Sequence, residues 1–377
     1  MSASYTLEEV DVDALDDLSA GAVLLATGGG GDPYDAWLCT RQILSERGPV
    51  PLLPVDALDD NARVASIGSV GAPSVSLELL PSVDEAGRAL QAFEAHVGYK
   101  LDAVVSFEVG GGNSMIPLMA AAEAGIPVVD GDGMGRALPE AQMMTFPIAG
   151  VRPTPALALD YAGNTATFET DNTTTYERHI RGLTQAMGGM IVAVEHPMDG
   201  RTLKNAIIPG SISFCRHIGS ILRQHRGNIG RSFDPLAEAF NQSNYGALQH
   251  LYSGKVVDYS SRIEGGYDVG EATIASFDDQ QAPLTISIKN EYLVARQNDK
   301  LLGCVPDLIM VVDFETTTPI NAERLRYGQR VSVLAAGCPD YYRQPHALEV
   351  VEPRCFGFDM DYAPLETLLA NHTPLPG

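Results

Sequence analysis

The chain has 377 residues, 45% of them hydrophobic, and a formal net charge of −23. That length is too much for one ordinary domain and enough for a sizeable core, so two domains are expected. The charge repels phosphate backbones and anionic lipid surfaces, which argues against nucleic-acid and membrane partners, and no apolar run reaches the ~18 residues a spanning helix needs. The acidic start, MSASYTLEEVDVDALDDLS, lacks the basic and apolar regions of a signal peptide, so a cytoplasmic protein is expected.

In chain order, Leu7 to Leu18 reads as a short acidic helix and Ala22 to Ala26 (AVLLA) as a buried strand, followed by TGGGGDPY. Tyr34 to Glu46 reads as a helix, Val64 to Ile67 as a strand, and Pro81 to His96 as an amphipathic helix. Ala103 to Val109 is a strand, Gly110 to Ser114 a loop, Met115 to Ala124 an alanine-rich helix, and Ile126 to Asp130 the next strand. Strand, helix and strand with short connections make a βαβ unit and a parallel sheet. Beyond Pro155 come a Thr-rich strand (Ala166 to Thr175), a helix (Glu177 to Met187), a strand (Met190 to Val194) and a helix (Ser211 to Gln224). From Lys255 to about Leu334 short strands separated by Gly, Asp and Pro predict a small barrel or sandwich. The expected class is α/β plus β. Residues 1–165 form an α/β domain with a mainly parallel sheet, and 166–377 a second domain whose barrel-like part spans about 251–338.

Three glycine-rich loops, TGGGGDPY, EVGGGNS and DGDGMGRALPE, each follow a predicted strand. The carboxyl edge of a parallel sheet is where ligands bind in open α/β folds. Glycines there let backbone N–H groups approach a ligand, and a following helix N-terminus favours negative charge. Candidate ligand contacts are Gly29, Gly30, Gly31, Asp32, Gly111, Gly112, Asn113 and Asp130. Pro33 stands where a dinucleotide fingerprint needs its third glycine, and no phosphate-binding G-x-x-x-x-G-K-[ST] exists. The five cysteines are scattered with no C-x-x-C, and Cys215 and Cys304 have no evident histidine partner in sequence, so buried reduced thiols are expected. There is no H-E-x-x-H. His179, His196, His217 and His225 read as satisfied or surface histidines. The cofactor stays open: Asp32, Glu108, Asp130 and Asp132 are oxygen ligands that would suit a hard divalent cation.

The blocks GGGGDPY (Gly28 to Tyr34), EVGGGNS (Glu108 to Ser114), PVVDGDGMGRALPE (Pro127 to Glu140), KNEYLVA (Lys289 to Ala295), PDLIMVVDFE (Pro306 to Glu315), RYGQRVSVLA (Arg326 to Ala335) and EPRCFGFD (Glu352 to Asp359) occur in this order. Together they resemble the S-methyl thiohydantoin desulfurase family over nearly the whole chain, with Leu138 where Phe is more usual. The resemblance implies a three-layer α/β domain followed by a domain containing a β-barrel. It also implies a setting beside hydantoinases and oxoprolinases. The implied activity replaces the sulfur substituent at C2 of a thiohydantoin with oxygen, releasing sulfide or methanethiol.

For that chemistry Asp132 or Glu108 is the candidate general base. Backbone amides of Gly29 to Gly31 or Gly110 to Gly112 are candidates for stabilising developing negative charge. Arg136 is placed to hold a ring oxygen or a substrate carboxylate. Asn113 is a donor to the ring, and Lys289, Asn290 and Glu291 are expected to close the cleft from the second domain. The expected ligand is a small cyclic ureide or thio-ureide. A homo-oligomer is expected because closed symmetric assemblies are common, with a hydantoinase or oxoprolinase as a candidate partner. Two alternatives stay open: a hydantoin or cyclic-amide hydrolase or its subunit, and a non-catalytic ligand-binding partner of a hydantoinase.

Overall fold

The computed structural model describes residues 5–76, 78–227, 233–277 and 281–370. Two sheets organise them. The first contains β1 (Glu9–Val10), β2 (Val50–Leu53), β3 (Arg63–Gly71), β4 (Ala103–Ser106), β5 (Val128–Asp132), β6 (Ala156–Leu159), β7 (Thr165–Phe168), β8 (Met190–Asp199) and β9 (Ile208–Pro209). Its order is β1-β2-β5-β4-β3-β8-β6-β7, with β9 beside β5. The central β2, β5, β4 and β3 are parallel, and the flanking strands add antiparallel.

Every position of β4 (AVVS) and β5 (VVDGD) is buried, so the sheet is covered on both faces, as its unbroken apolar runs require. Helices Glu85–Val97 and Ile116–Ala124 pack on one another, and the second continues the strand–helix–strand unit between β4 and β5. Ser211–Gln224 packs against β5, and Thr173–Ala186 against β3 and β8.

AVLLA is not a strand. It is the second half of one helix, Leu15–Leu25, which lies along Ser211–Gln224. A five-residue run of Ala, Val and Leu fits a buried strand or a buried helix equally well, and here packing on a second helix decides. The first glycine-rich loop therefore follows a helix. Residue 165 also does not bound the first sheet, because β8 and β9 come from beyond it in sequence and β8 lies directly against β3.

The second sheet is antiparallel throughout. It contains β10 (Gln249–Glu264), β11 (Tyr267–Ser276), β12 (Leu284–Lys289), β13 (Glu291–Gln297), β14 (Lys300–Cys304), β15 (Leu308–Asp313) and β16 (Arg330–Ala336), in the order β14-β13-β12-β11-β10-β16-β15. β12 alternates buried and half-buried positions, the signature of a sheet with one face on a core. That core holds Val256, Ile274, Ile286, Tyr292 and Val333. Register shifts in the β10, β12 and β13 ladders bend the sheet into a curled half-barrel. Among the described residues no ladder joins its outer strands β14 and β15, so the barrel is not closed by hydrogen bonds. The protein is thus a two-domain fold, mixed α/β followed by an antiparallel half-barrel. Among the described residues no helix is long and apolar enough to cross a membrane.

Candidate active site

The two domains meet at the carboxyl ends of β3 and β4, where the glycine-rich loops interlock. Gly112 N–H donates to the carbonyls of Gly30 (2.9 Å) and Gly31 (3.1 Å). A Cβ on Gly30 would stand 2.4 Å from Gly110 O, and one on Gly111 2.4 Å from Gly31 O, so these backbones can approach only as glycine. The half-barrel grips the first loop. Tyr292 N–H donates to Thr27 O (2.6 Å), Ala322 N–H to Gly28 O (2.8 Å), and Asn321 Nδ2 to Gly29 O (3.2 Å) and Gly31 O (3.1 Å). Of the candidate anion-binding amides, Gly29 (to Ala26 O, 2.9 Å) and Gly112 are thereby committed. Those of Gly30, Gly31 and Gly111 donate to no described protein group.

These loops wall a cleft of about 70 Å³ lined by Gly30, Gly31, Ser69, Glu108, Asn113, Glu195, Asn290 and Glu291, among others. That is far below the ~300–1,000 Å³ of sites for drug-sized ligands, which selects a small molecule over a dinucleotide. Five glutamates line it. Glu140 is paired with Lys289 and Glu177 with Arg181, and the remaining three carboxyls, Glu108, Glu291 and Glu195, pair with no Lys or Arg among the described residues. Asn113 Nδ2 donates to Glu108 Oε1 (2.6 Å), and Leu138 N–H donates to Oε2 (3.2 Å). The Asn113 amide is itself held by Ser69, whose N–H and hydroxyl both donate to Asn113 Oδ1 (2.6 and 2.8 Å). Burial nonetheless pushes the Glu108 carboxyl up to about 8.

Glu291 enters from the half-barrel. Asn290, left-handed at φ 58°, turns the chain between β12 and β13, and its Oδ1 accepts from Asp268 N–H (2.8 Å). Asn tolerates that conformation better than most residues. A Cβ on Gly29 would lie 2.1 Å from Glu291 Oε1, so that glycine makes room for the carboxyl, and Glu291 Oε2 is buried with no partner. Burial, then the nearby Glu108, raise Glu291 well above the carboxylate range. Two like charges in one cleft cannot both ionise cheaply, so each carboxyl favours its neutral form and at most one of them is ionised at a time.

The third carboxyl, Glu195, accepts from the Tyr176 hydroxyl through Oε2, while its Oε1 accepts no hydrogen bond and lies 3.4 Å from His196 Nδ1. Burial lifts it to about 8. Sequence reading missed it, although a glutamate closing the apolar run IVAVEH is the signal of a buried polar group.

Other candidates lie elsewhere and do other things. Asp132 is fully buried and does not line the cleft. Its Oδ2 accepts from the amides of Val109 (2.8 Å), Met134 (3.2 Å) and Gly135 (2.7 Å), which ties the second and third glycine-rich loops together. Burial holds it at about 6 even so. Asp130 accepts from Ser213 N–H (3.0 Å) and Oγ (2.7 Å), placing an anion at the N-terminus of Ser211–Gln224. Arg136 is no substrate clamp. It is fully buried and donates to the carbonyls of Ala137 (3.0 Å), Pro306 (2.9 Å) and Asp307 (2.9 Å) and to Thr27 Oγ1 (2.6 Å), which fastens the domains together. Asp32 turns away to Arg324 Nε (2.6 Å) and to its own turn, at Tyr34 N–H (2.9 Å). Cys215 donates to Leu18 O and Cys304 to Ala363 O, both outside the cleft and both raised by burial.

The family models named S-Me-THD-like match most of the chain, the N-terminal domain over residues 13–170 and the C-terminal domain over 170–365. The chain belongs to the S-Me-THD-like family. The fold is also that of a crystal structure of a protein from Chromobacterium violaceum, with a TM-score of 0.79 and 21% identity over 95% of this chain and 100% of that one. No curated protein matches the chain.

In this S-Me-THD-like protein, among the described residues, no group of three or more His, Cys, Asp or Glu is arranged to hold a metal ion. The buried carboxyls set a pH dependence. Glu108, Glu195 and Glu323 are raised to about 8, from an ordinary 4.5. A group raised on folding stabilises fully below its unfolded value and loses that contribution as pH rises through the folded one. His196, buried and pushed down to about 3 from 6.5, acts oppositely and costs stability only as pH falls below 6.5. Melting temperature is therefore expected to rise as pH is lowered from 9 to 6.5. A scanning-fluorimetry series that stays flat or falls over that window would contradict it.

Proposed function

We propose that the protein is an enzyme that hydrolyses the C2–sulfur bond of an S-methyl thiohydantoin or thiohydantoin, leaving a hydantoin. The observation that carries this reading is the Glu108–Glu291 pair, two buried carboxyls with raised proton affinity in one small cleft. Membership of a family named for this substrate class supports it. The ionised member of the pair takes a proton from water as the water oxygen bonds to C2, and the C2=N electron pair moves to the ring nitrogen. The tetrahedral carbon then re-forms C=O while the C–S bond breaks and its electron pair leaves on sulfur. The neutral member protonates the departing methanethiolate. Of the water's two protons, one ends on the ring nitrogen and one on sulfur, so no oxidant or reductant is needed. The free amides of Gly30 and Gly31, which line the cleft, are the donors for negative charge in the intermediate. Asn113, fixed by Ser69, holds Glu108 in place. The base is assigned to the Glu108–Glu291 pair rather than to Asp132, which does not line the cleft and whose Oδ2 accepts three amides.

The test is thiol release from a panel of thiohydantoins and S-methyl thiohydantoins, with and without a chelator. Methanethiol or sulfide with the hydantoin ring intact is the expected result. Ring opening without thiol would make the protein a cyclic-amide hydrolase, and loss of activity with the chelator would add a divalent metal. Silence from the protein alone, with turnover restored by a hydantoinase subunit, would make it a non-catalytic partner.

A further inference from the structure

We propose that the substrate ring carries an uncharged apolar substituent, seated in a second chamber that opens off the cleft. This rests on the ring-chemistry reading above and names the substrate class within it. The chamber shares Gly30, Gly31, Ser69 and Met190 with the cleft, so one ligand can reach both. Its inner wall is Ile116, Leu159 and Val192, all buried. At its mouth Leu80 is 72% exposed and Tyr161 55% exposed, apolar side chains left facing water. A ligand group that covers them removes apolar surface from water.

Charge points the same way. Among the described residues no Lys, Arg or His lines the chamber, while Asp32, Asp35 and Glu85 do, the first already paired with Arg324. Arg181, which lines the cleft, and Lys289, close to Glu291 in sequence, are both committed. Arg181 donates to Glu177 Oε1 (2.9 Å) and Pro139 O (2.7 Å) and stacks 4.5 Å from the Tyr267 ring centroid. Lys289 donates to Glu140 (2.6 Å) and sits 4.3 Å from the same centroid. An anionic substituent would meet acidic walls and no free cation, on a chain of net charge −23. An apolar one meets a matching wall.

Calorimetry with the intact protein tests this through hydantoins that differ only at ring C5: unsubstituted, isobutyl, benzyl and carboxymethyl. The alkyl and aryl rings are expected to bind about tenfold or more tighter than the unsubstituted ring, and the carboxymethyl ring no tighter than it. Leu80→Asp, on the exposed rim and outside the catalytic machinery, is expected to shrink the apolar advantage to a few-fold while leaving the unsubstituted ring unaffected. Tyr161→Asp reads the same point if the first variant fails to fold. Equal affinities, or tightest binding of the carboxymethyl ring, would overturn the chamber and leave the ring chemistry standing. No binding by any ring would overturn both.

Discussion

Replacing Glu108 by glutamine is expected to lower methanethiol release from an S-methyl thiohydantoin by roughly 10²- to 10⁴-fold with the fold retained. The substitution keeps the side chain's size and one oxygen for the Asn113 amide, and loses the bond from Leu138 N–H, which is long at 3.2 Å. That loss is worth about 1 kcal/mol. A buried group that resists ionisation is removed at the same time, which offsets part of it. Chemistry suffers far more, because a carboxyl held at about 8 is ionised in a useful fraction near neutral pH and an amide never is. Glu291 should respond too. Glu108 is the second-largest cause of its raised proton affinity, so in the variant Glu291 ionises at lower pH. The pH–rate limb of the residual activity should therefore shift toward acid, which a merely structural role for Glu108 would not produce. Turnover within a few-fold of the parent protein would remove the pair from the mechanism.

Much of this architecture was legible in the residues. Ser211 to Gln224 was read from its apolar spacing and is a helix over those same residues, and the unit from Ala103 to Asp130 is a parallel strand–helix–strand. Periodicity over ten or more residues carries that information. AVLLA is too short to carry it, and only the partner helix Ser211–Gln224 decides its form. The first two glycine-rich loops meet backbone to backbone, Gly30 against Gly110 and Gly111 against Gly31, an approach whose sequence signature is consecutive glycines. What a carboxylate points at has no such signature. DGDGMGR looked like a ligand loop, yet Asp130 and Asp132 lie two residues apart on a strand buried on both faces, and each found backbone amides to accept from. Arg136 was lost to carbonyls more than a hundred and sixty positions away in sequence, a contact no local pattern encodes. Glu195 reaches the cleft only because β8 pairs antiparallel with β3, an order unreadable from sequence.

Replacing Asp132 by alanine is the other large effect, and it falls on stability. The amides of Val109, Met134 and Gly135 all donate to one oxygen of this fully buried side chain. Alanine leaves three buried donors without an acceptor, each costing about 1–3 kcal/mol. Removing a buried carboxylate returns some desolvation energy, since burial already lifts Asp132 to about 6. A net loss of about 3–5 kcal/mol remains, the range for stripping the partner from a buried charge or its donors. At ~2–4 °C per kcal/mol for a domain of this size, the melting temperature should fall by roughly 6–20 °C. Asparagine separates scaffold from base. It keeps one acceptor oxygen, so a scaffold role predicts an intermediate loss of stability and residual turnover within about tenfold at 20 °C, well below the melt. A catalytic base at this position predicts the reverse, a stable protein with turnover down by roughly 10²-fold or more. Thermal melts and thiol release on the same two variants decide it, because only the scaffold reading couples the two losses.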